Sequence, residues 1–196
     1  MKTVELSLRL TALALLLALA GCASVAKEQF YALFSPAQAS QIVSADFDKD
    51  VTIHVADIPE LIDRPQLVIF SNASALTVLD HERWAESLQS GITRVISKDV
   101  AKAIPRAWVT STPDGRASTP LRVVVHVEEM TGSSQGKVVL TASWVVKSGA
   151  DKALASGRLT LEREANLPLQ TGELVELWSD ELNSLSQAIA LSVVNI

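Results

Sequence analysis

Lys137-Val138-Val139-Leu140-Thr141-Ala142-Ser143-Trp144-Val145-Val146-Lys147 is the stretch on which the fold turns. Val138, Leu140, Ala142, Trp144 and Val146 recur at every second position and point to one face, the period of a strand with that face buried. Segments on either side read the same way: residues 108–110 and 121–128 before it, residues 154–163 after it. Turn-rich pieces such as Pro113-Asp114-Gly115 and Thr131-Gly132-Ser133-Ser134 separate them. Beyond the last strand, residues 171–193 carry Leu174, Trp178, Leu185, Ile189 and Val193 on one side of a helix.

Upstream lies a second helical period. Asp80 is a suitable N-cap, Glu82 sits in the first turn and Pro105 closes the segment. Between them Trp84, Leu88, Ile92, Val95, Ile96, Val100 and Ala103 form one apolar stripe, with Arg83, Gln89, Arg94 and Lys98 on the other side. Before this helix, residues 66–70 and 75–79 read as a hairpin over Ser71-Asn72-Ala73-Ser74. Val51, Ile53 and Val55 alternate in an earlier strand, residues 30–33 form a short first one, and residues 35–44 read as a loop. The expectation is an α+β fold, a two-layer sandwich of a mostly antiparallel sheet with two long helices on one face.

The start of the chain is different in kind. Lys2 and Arg9 precede an apolar run over residues 10–20 that is about half the roughly 20 residues a membrane-spanning helix needs, which marks a secretory signal peptide. At its end Leu19-Ala20-Gly21-Cys22 resembles the lipobox of bacterial lipoproteins, and Cys22 is the sole cysteine, so no disulfide can form within the chain. The organisation expected is a signal peptide over residues 1–21, a lipidated tether over 22–29 and one domain over 30–196. The resemblance implies a diacylglycerol on the Cys22 thiol and an N-acyl chain, palmitate being the kind of group, and Ala23 after the cysteine favours the periplasmic face of the outer membrane. With about 0.8 kcal/mol for each buried methylene, three acyl chains make release negligible.

Removing residues 1–21, which hold two basic residues and one acidic, takes the formal charge from −5 to −6. An acidic chain of this kind argues against nucleic acid, whose binding calls for basic patches. The length is enough for a core without disulfides or metal.

Four stretches in order resemble one family. They are Phe30-Tyr31-Ala32-Leu33; residues 58–68 with Asp63-Arg64-Pro65-Gln66; Arg83-Trp84-Ala85-Glu86-Ser87-Leu88; and Thr141-Ala142-Ser143-Trp144. Together they are similar to the PqiC family, the ABC-type transport auxiliary lipoprotein component. Ser87 departs from the proline that many relatives carry. The resemblance implies a non-catalytic lipoprotein serving an MCE-domain periplasmic protein, a phospholipid conduit often fed by an ABC or other inner-membrane complex, with a homo-oligomeric ring as a further implication.

Other chemistry finds little support in the residues. Asp46-Phe47-Asp48-Lys49-Asp50 opens like a calcium loop, but Val51 stands where the sharp turn needs glycine and Asp57 where the bidentate glutamate belongs. His54, His81 and His126 lack a ligand-pair spacing, and no nucleophile elbow is present, so neither a metal, a cofactor nor a catalytic residue is expected. Asp63-Arg64-Pro65-Gln66 is either a bend-fixing salt bridge or turn, or a surface read by the partner. Arg83, Trp84 and Glu86 divide in the same way, with Trp84 in the core and Glu86 beside a cation or a backbone amide on the structural reading. Trp108 and Trp144 read as packing residues. A lipid carrier with an acyl-chain cavity, and a regulator of a cell-wall enzyme, are the rival functions.

Overall fold

The computed structural model describes residues 27–37, 41–112 and 121–196. Leu19, Ala20, Gly21 and Cys22, the turn Pro113-Asp114-Gly115 and part of the 35–44 loop lie outside the described residues. The elements run β1 (Gln29–Tyr31), β2 (Val51–Asp57), β3 (Gln66–Asn72), β4 (Ala75–Trp84), α1 (Leu88–Ala103), β5 (Val109–Thr110), β6 (Leu121–Gly132), β7 (Lys137–Lys147), β8 (Ala153–Glu164) and α2 (Thr171–Val194).

The alternating stretch is the middle of a five-stranded sheet in the order β5-β2-β6-β7-β8. Val138, Leu140, Ala142, Trp144 and Val146 are all buried on one face, and both helices lie against it. Across β7, Val125 on β6 sits opposite Trp144, and Gly157 on β8 sits on its other side. A Cβ at Gly157 would run into the Trp144 indole, so the absence of a side chain there is what lets the ring lie over the edge strand. The Trp144 indole N–H donates to Ser192 Oγ on α2 at 3.0 Å, joining sheet to helix. The tight β6–β7 turn needs Gly136, at φ 89°, where a side chain is strained.

The expected α+β fold, with two long helices against a sheet in which antiparallel pairing predominates, is what the structure has. One refinement concerns the sheet: β6-β7-β8 are antiparallel, while β2 pairs parallel with both β5 and β6. A separate three-stranded sheet, ordered β1-β4-β3, carries the hairpin. The long excursion from β2 through that small sheet and α1 brings the chain back to the same edge, which makes parallel pairing natural.

The first helix also starts later than Asp80. Residues 80–84 continue β4, because β3 pairs as far as Gln66 opposite Arg83 and β1 adds along the other edge. Ser87 is the true N-cap, accepting from Ser90 N through its side chain, so this position supplies the cap that a proline could not. Smaller corrections concern β6, which runs on through Thr131 and Gly132 into a turn at residues 133–136, and Trp108, which is 48% exposed rather than buried in packing. Trp84 does enter the core, from the last residue of β4: its ring stands 6.0 Å from that of Trp178 on α2 at an angle of 40°. Such tilted pairs contribute roughly 0.5–1.5 kcal/mol beyond area burial.

Adding one methyl group in Gly157→Ala should therefore lower stability by about 2 kcal/mol, or roughly 4–8 °C in Tm. Ser156→Ala, an exposed neighbour on the opposite face, should be near neutral. Urea and thermal denaturation of both variants check this.

Candidate functional site

Among the described residues no constellation of reacting groups dominates. A dense set of specific polar contacts instead surrounds residues 28–36, which begin with the last two residues of the expected tether. Gln29, Phe30 and Tyr31 pair parallel with Glu82, Arg83 and Trp84, and Ala85 N donates to Tyr31 O at 2.8 Å. Arg83 Nε meets Glu28 Oε1 at 2.9 Å. Arg94 on α1 then bridges two partners, donating to the Leu33 carbonyl at 2.8 Å and to Glu86 Oε1 at 2.5 Å. Phe34 N donates to Ser179 Oγ on α2 at 3.2 Å. Ser35 Oγ donates to Asp99, a fully buried carboxylate of α1, while Lys102 Nζ donates to Ser35 Oγ at 2.6 Å and to the Pro36 carbonyl at 2.8 Å. Residues 28–36 are thus fastened to β4, α1 and α2 in turn. Burial pushes the Tyr31 phenol above its ordinary range, and the nearby Glu82 charge adds to the shift.

Of the residues singled out in the sequence, Arg83, Trp84 and Glu86 belong to this fastening. Glu86 takes the structural alternative, with Arg94 as its cation. Asp63 and Arg64 are exposed and occupy a turn, in which Ile62 N and Asp63 N donate to Pro59 O and Arg64 N donates to Ile62 O. Pro65 joins this bend to the sheet, its carbonyl accepting from Trp84 N at 2.8 Å, and Gln66 opens β3. Cys22 and the rest of the lipobox lie outside the described residues.

Sequence reasoning missed Asp99, Ser35 and Lys102. A carboxylate lying between Val95, Ile96 and Val100 on an apolar stripe is itself a signal, since a buried charge requires partners. The partner, 64 residues away, leaves no trace in local periodicity. Asp46 pairs with Arg106 at 3.6 Å, and His126 Nδ1 lies 2.5 Å from Asp57 Oδ1. Among the described residues no group of three or more His, Cys, Asp or Glu could hold a metal ion.

Hollows among the described residues differ in size and setting. An open polar groove of about 640 Å³ runs between α1 and the edge of β2, walled by His54, Gln89, Thr93, Arg94 and Lys98. Gln89 Nε2 spans its floor, donating to the Val55 and Ala56 carbonyls at 2.9 and 3.3 Å. A hollow of about 360 Å³ lies beside the β3–β4 turn, among Phe70, Ala73, Gly132 and Val139. The third, inside the core between Val68, Trp84, Leu88, Met130 and Trp178, measures about 10 Å³. That is about the room of a single water molecule and far below that of an acyl chain.

Glu181 on α2 is fully buried, and neither carboxylate oxygen has a hydrogen-bond partner. Burial pushes its pKa up to about 7, partly opposed by the Arg163 charge and reinforced by that of Asp180. The group is a cost to the fold at high pH rather than part of a reacting pair.

A family model described as ABC-type transport auxiliary lipoprotein component matches residues 31–190. No protein among the curated sequences matches the chain. A crystal structure of an uncharacterized protein is similar in fold, with a TM-score of 0.67, 17% identity, and coverage of 85% of this chain and 99% of that one. Protein XCC0632 from Xanthomonas campestris, of family model DUF330, gives a TM-score of 0.65 at 12% identity, over 83% of this chain and 92% of its own. At these identities the two structures establish the fold alone.

Arg94→Ala removes both bridging contacts and should cost about 1–2 kcal/mol, with thermolysin cleaving within residues 29–36 before global unfolding. Glu86→Ala keeps the Leu33 bond and should cost less than about 1 kcal/mol, because the ion pair is half-exposed. For Glu181, a folded-state pKa above the ordinary 4.5 means that stability is fullest below that value and is lost as pH rises through about 7. Glu181→Gln should flatten this decline and raise stability at pH 8 by about 2 kcal/mol, measured by urea denaturation from pH 4.5 to 8.

Proposed function

The chain belongs to the family of ABC-type transport auxiliary lipoprotein components, and we propose that it is the non-catalytic, outer-membrane accessory of a trans-envelope phospholipid transporter. Acylated at Cys22 and held on the periplasmic face of the outer membrane, it docks on an MCE-domain protein whose inner-membrane end is served by an ABC or related complex. Its contribution to membrane integrity is positional: it holds the conduit against the membrane and carries no lipid itself.

The observation that carries this reading is the fastening of residues 28–36. Because the segment directly after the tether is built into β4, α1 and α2, an acyl anchor on Cys22 restrains the whole domain and not a loose arm. The 10 Å³ hollow in the core supports a positional role over a carrier, which would need a sizeable apolar cavity. Among the described residues no helix is long and apolar enough to cross a membrane.

Assembly into a ring is part of the proposal. The five-stranded sheet ends on β8, twelve residues long and paired on one side only, while at the other side β5 covers only Val51 and Thr52 of β2. Two unlike edges of this kind suit a head-to-tail, ring-closing contact between copies.

Gentle detergent co-purification of the tagged native lipoprotein beside Cys22→Ala, with partners identified by mass spectrometry, tests the function. An MCE-domain protein should be recovered with both forms, since the domain surface makes the contact. Recovery of cell-wall enzymes alone, or of no stable partner, overturns the assignment.

A further inference from the structure

We propose that the tip of the β3–β4 hairpin, residues 71–76, is the surface on which the domain rests against the bilayer that holds its acyl chains. The inference deepens the anchoring reading above and rests on acylation of Cys22. Three observations lead to it.

The first is direction. β4 runs away from the turn at residues 72–75, and β1 runs parallel to β4, so β1 enters the small sheet from the turn side. The second is length. Gln29 pairs with Glu82, which is seven residues along β4 from Ala75, and Cys22 is likewise seven residues before Gln29. Seven strand residues span about 23 Å, and seven tether residues reach at most about 25 Å. A tether that continues in the direction of β1 therefore carries the anchor at most a few ångströms beyond the hairpin tip.

The third observation is chemical. Residues 66–79 contain no Asp, Glu, Lys, Arg or His, in a chain of which 20% is charged. Leu76 is 37% exposed, and Asn72, Ala73 and Ser74 are exposed with it. The polar groups of the turn are largely satisfied from within: Asn72 Oδ1 accepts from Ser74 N and Ala75 N, each at 3.0 Å, and the Ser71 and Thr77 hydroxyls bond to one another at 2.5 Å. A tip of this kind loses little on leaving water for a headgroup layer. The mature chain carries a net negative charge, so the uncharged hairpin is the part of this end, which also holds Glu129 and Lys137, that an anionic membrane surface repels least.

The test uses the lipidated protein, whose Cys22 thiol is consumed by the acyl group, with a single new thiol labelled by an environment-sensitive fluorophore. Ala73→Cys reports the tip, with Ser74→Cys as a second tip site. Ala150→Cys reports the β7–β8 turn, at the end of the sheet opposite the Phe70–Ser133 bridge to the hairpin. In vesicles of phosphatidylethanolamine and phosphatidylglycerol with a headgroup nitroxide, the tip labels should be quenched at least twofold more than the label at residue 150. Equal or reversed quenching in protein that floats with the vesicles overturns the orientation while leaving the anchor intact. Protein that fails to float and shows no acyl mass overturns the anchoring reading, and the inference falls with it.

Discussion

Three residues of parallel pairing, Gln29, Phe30 and Tyr31 against the end of β4, constrain the rest of this molecule. They hold β4 in extended form as far as Trp84, which places that indole against Trp178, and they defer the start of α1 to Leu88. They also decide the side from which the tether enters. A three-residue strand has little stability of its own, so the pairing depends on contacts that follow it: the Arg94 bond to the Leu33 carbonyl, the Phe34 bond to Ser179, and the part-buried cluster of Ser35 and Lys102 around the buried Asp99. Fastening by several bonds to three elements makes residues 28–36 part of the domain, and under the proposed acylation of Cys22 it makes the lipid a restraint on the whole domain.

The core divides the labour differently. The buried face of the five-stranded sheet and the facing stripes of α1 and α2 supply the bulk of the apolar burial, and the hollow left among Trp84, Trp178 and their neighbours is the size of one water. Two carboxylates interrupt this packing with opposite consequences. Asp99 has a partner in Ser35 that ties the segment after β1 down, whereas neither Glu181 carboxylate oxygen has a hydrogen-bond partner and burial pushes its pKa up to about 7. Burial alone does not indicate function; what distinguishes the two is whether another segment of chain answers the charge.

The alternation in residues 137–147 and the three-and-four spacing from Leu88 to Ala103 were legible because their periods report a single buried face each. The start of α1 was not, because Trp84 happens to fall in phase with the stripe that begins at Leu88, and Asp80 imitates a cap; only β3 and β1 on either side of β4 decide against it. The division into two sheets and the parallel β2 pairs depend on contacts across tens of residues, which no local pattern carries. At the site, Arg83, Trp84 and Glu86 stood out in the sequence, but their common purpose did not. That purpose is to receive residues 28–36, and it requires Leu33, Ser35, Arg94 and Asp99 to meet.

The fastened segment is therefore the central claim, and amide hydrogen exchange on the Cys22→Ala form measures it most directly. Within residues 28–36, the amides of Tyr31 and Phe34 should exchange within about tenfold of core amides of α1 such as that of Ile92, because opening them breaks contacts with β4, α1 and α2 together. Exchange of Tyr31 and Phe34 at the rate of an unstructured chain, with α1 still protected, would contradict the account and leave the lipid attached to a loose arm.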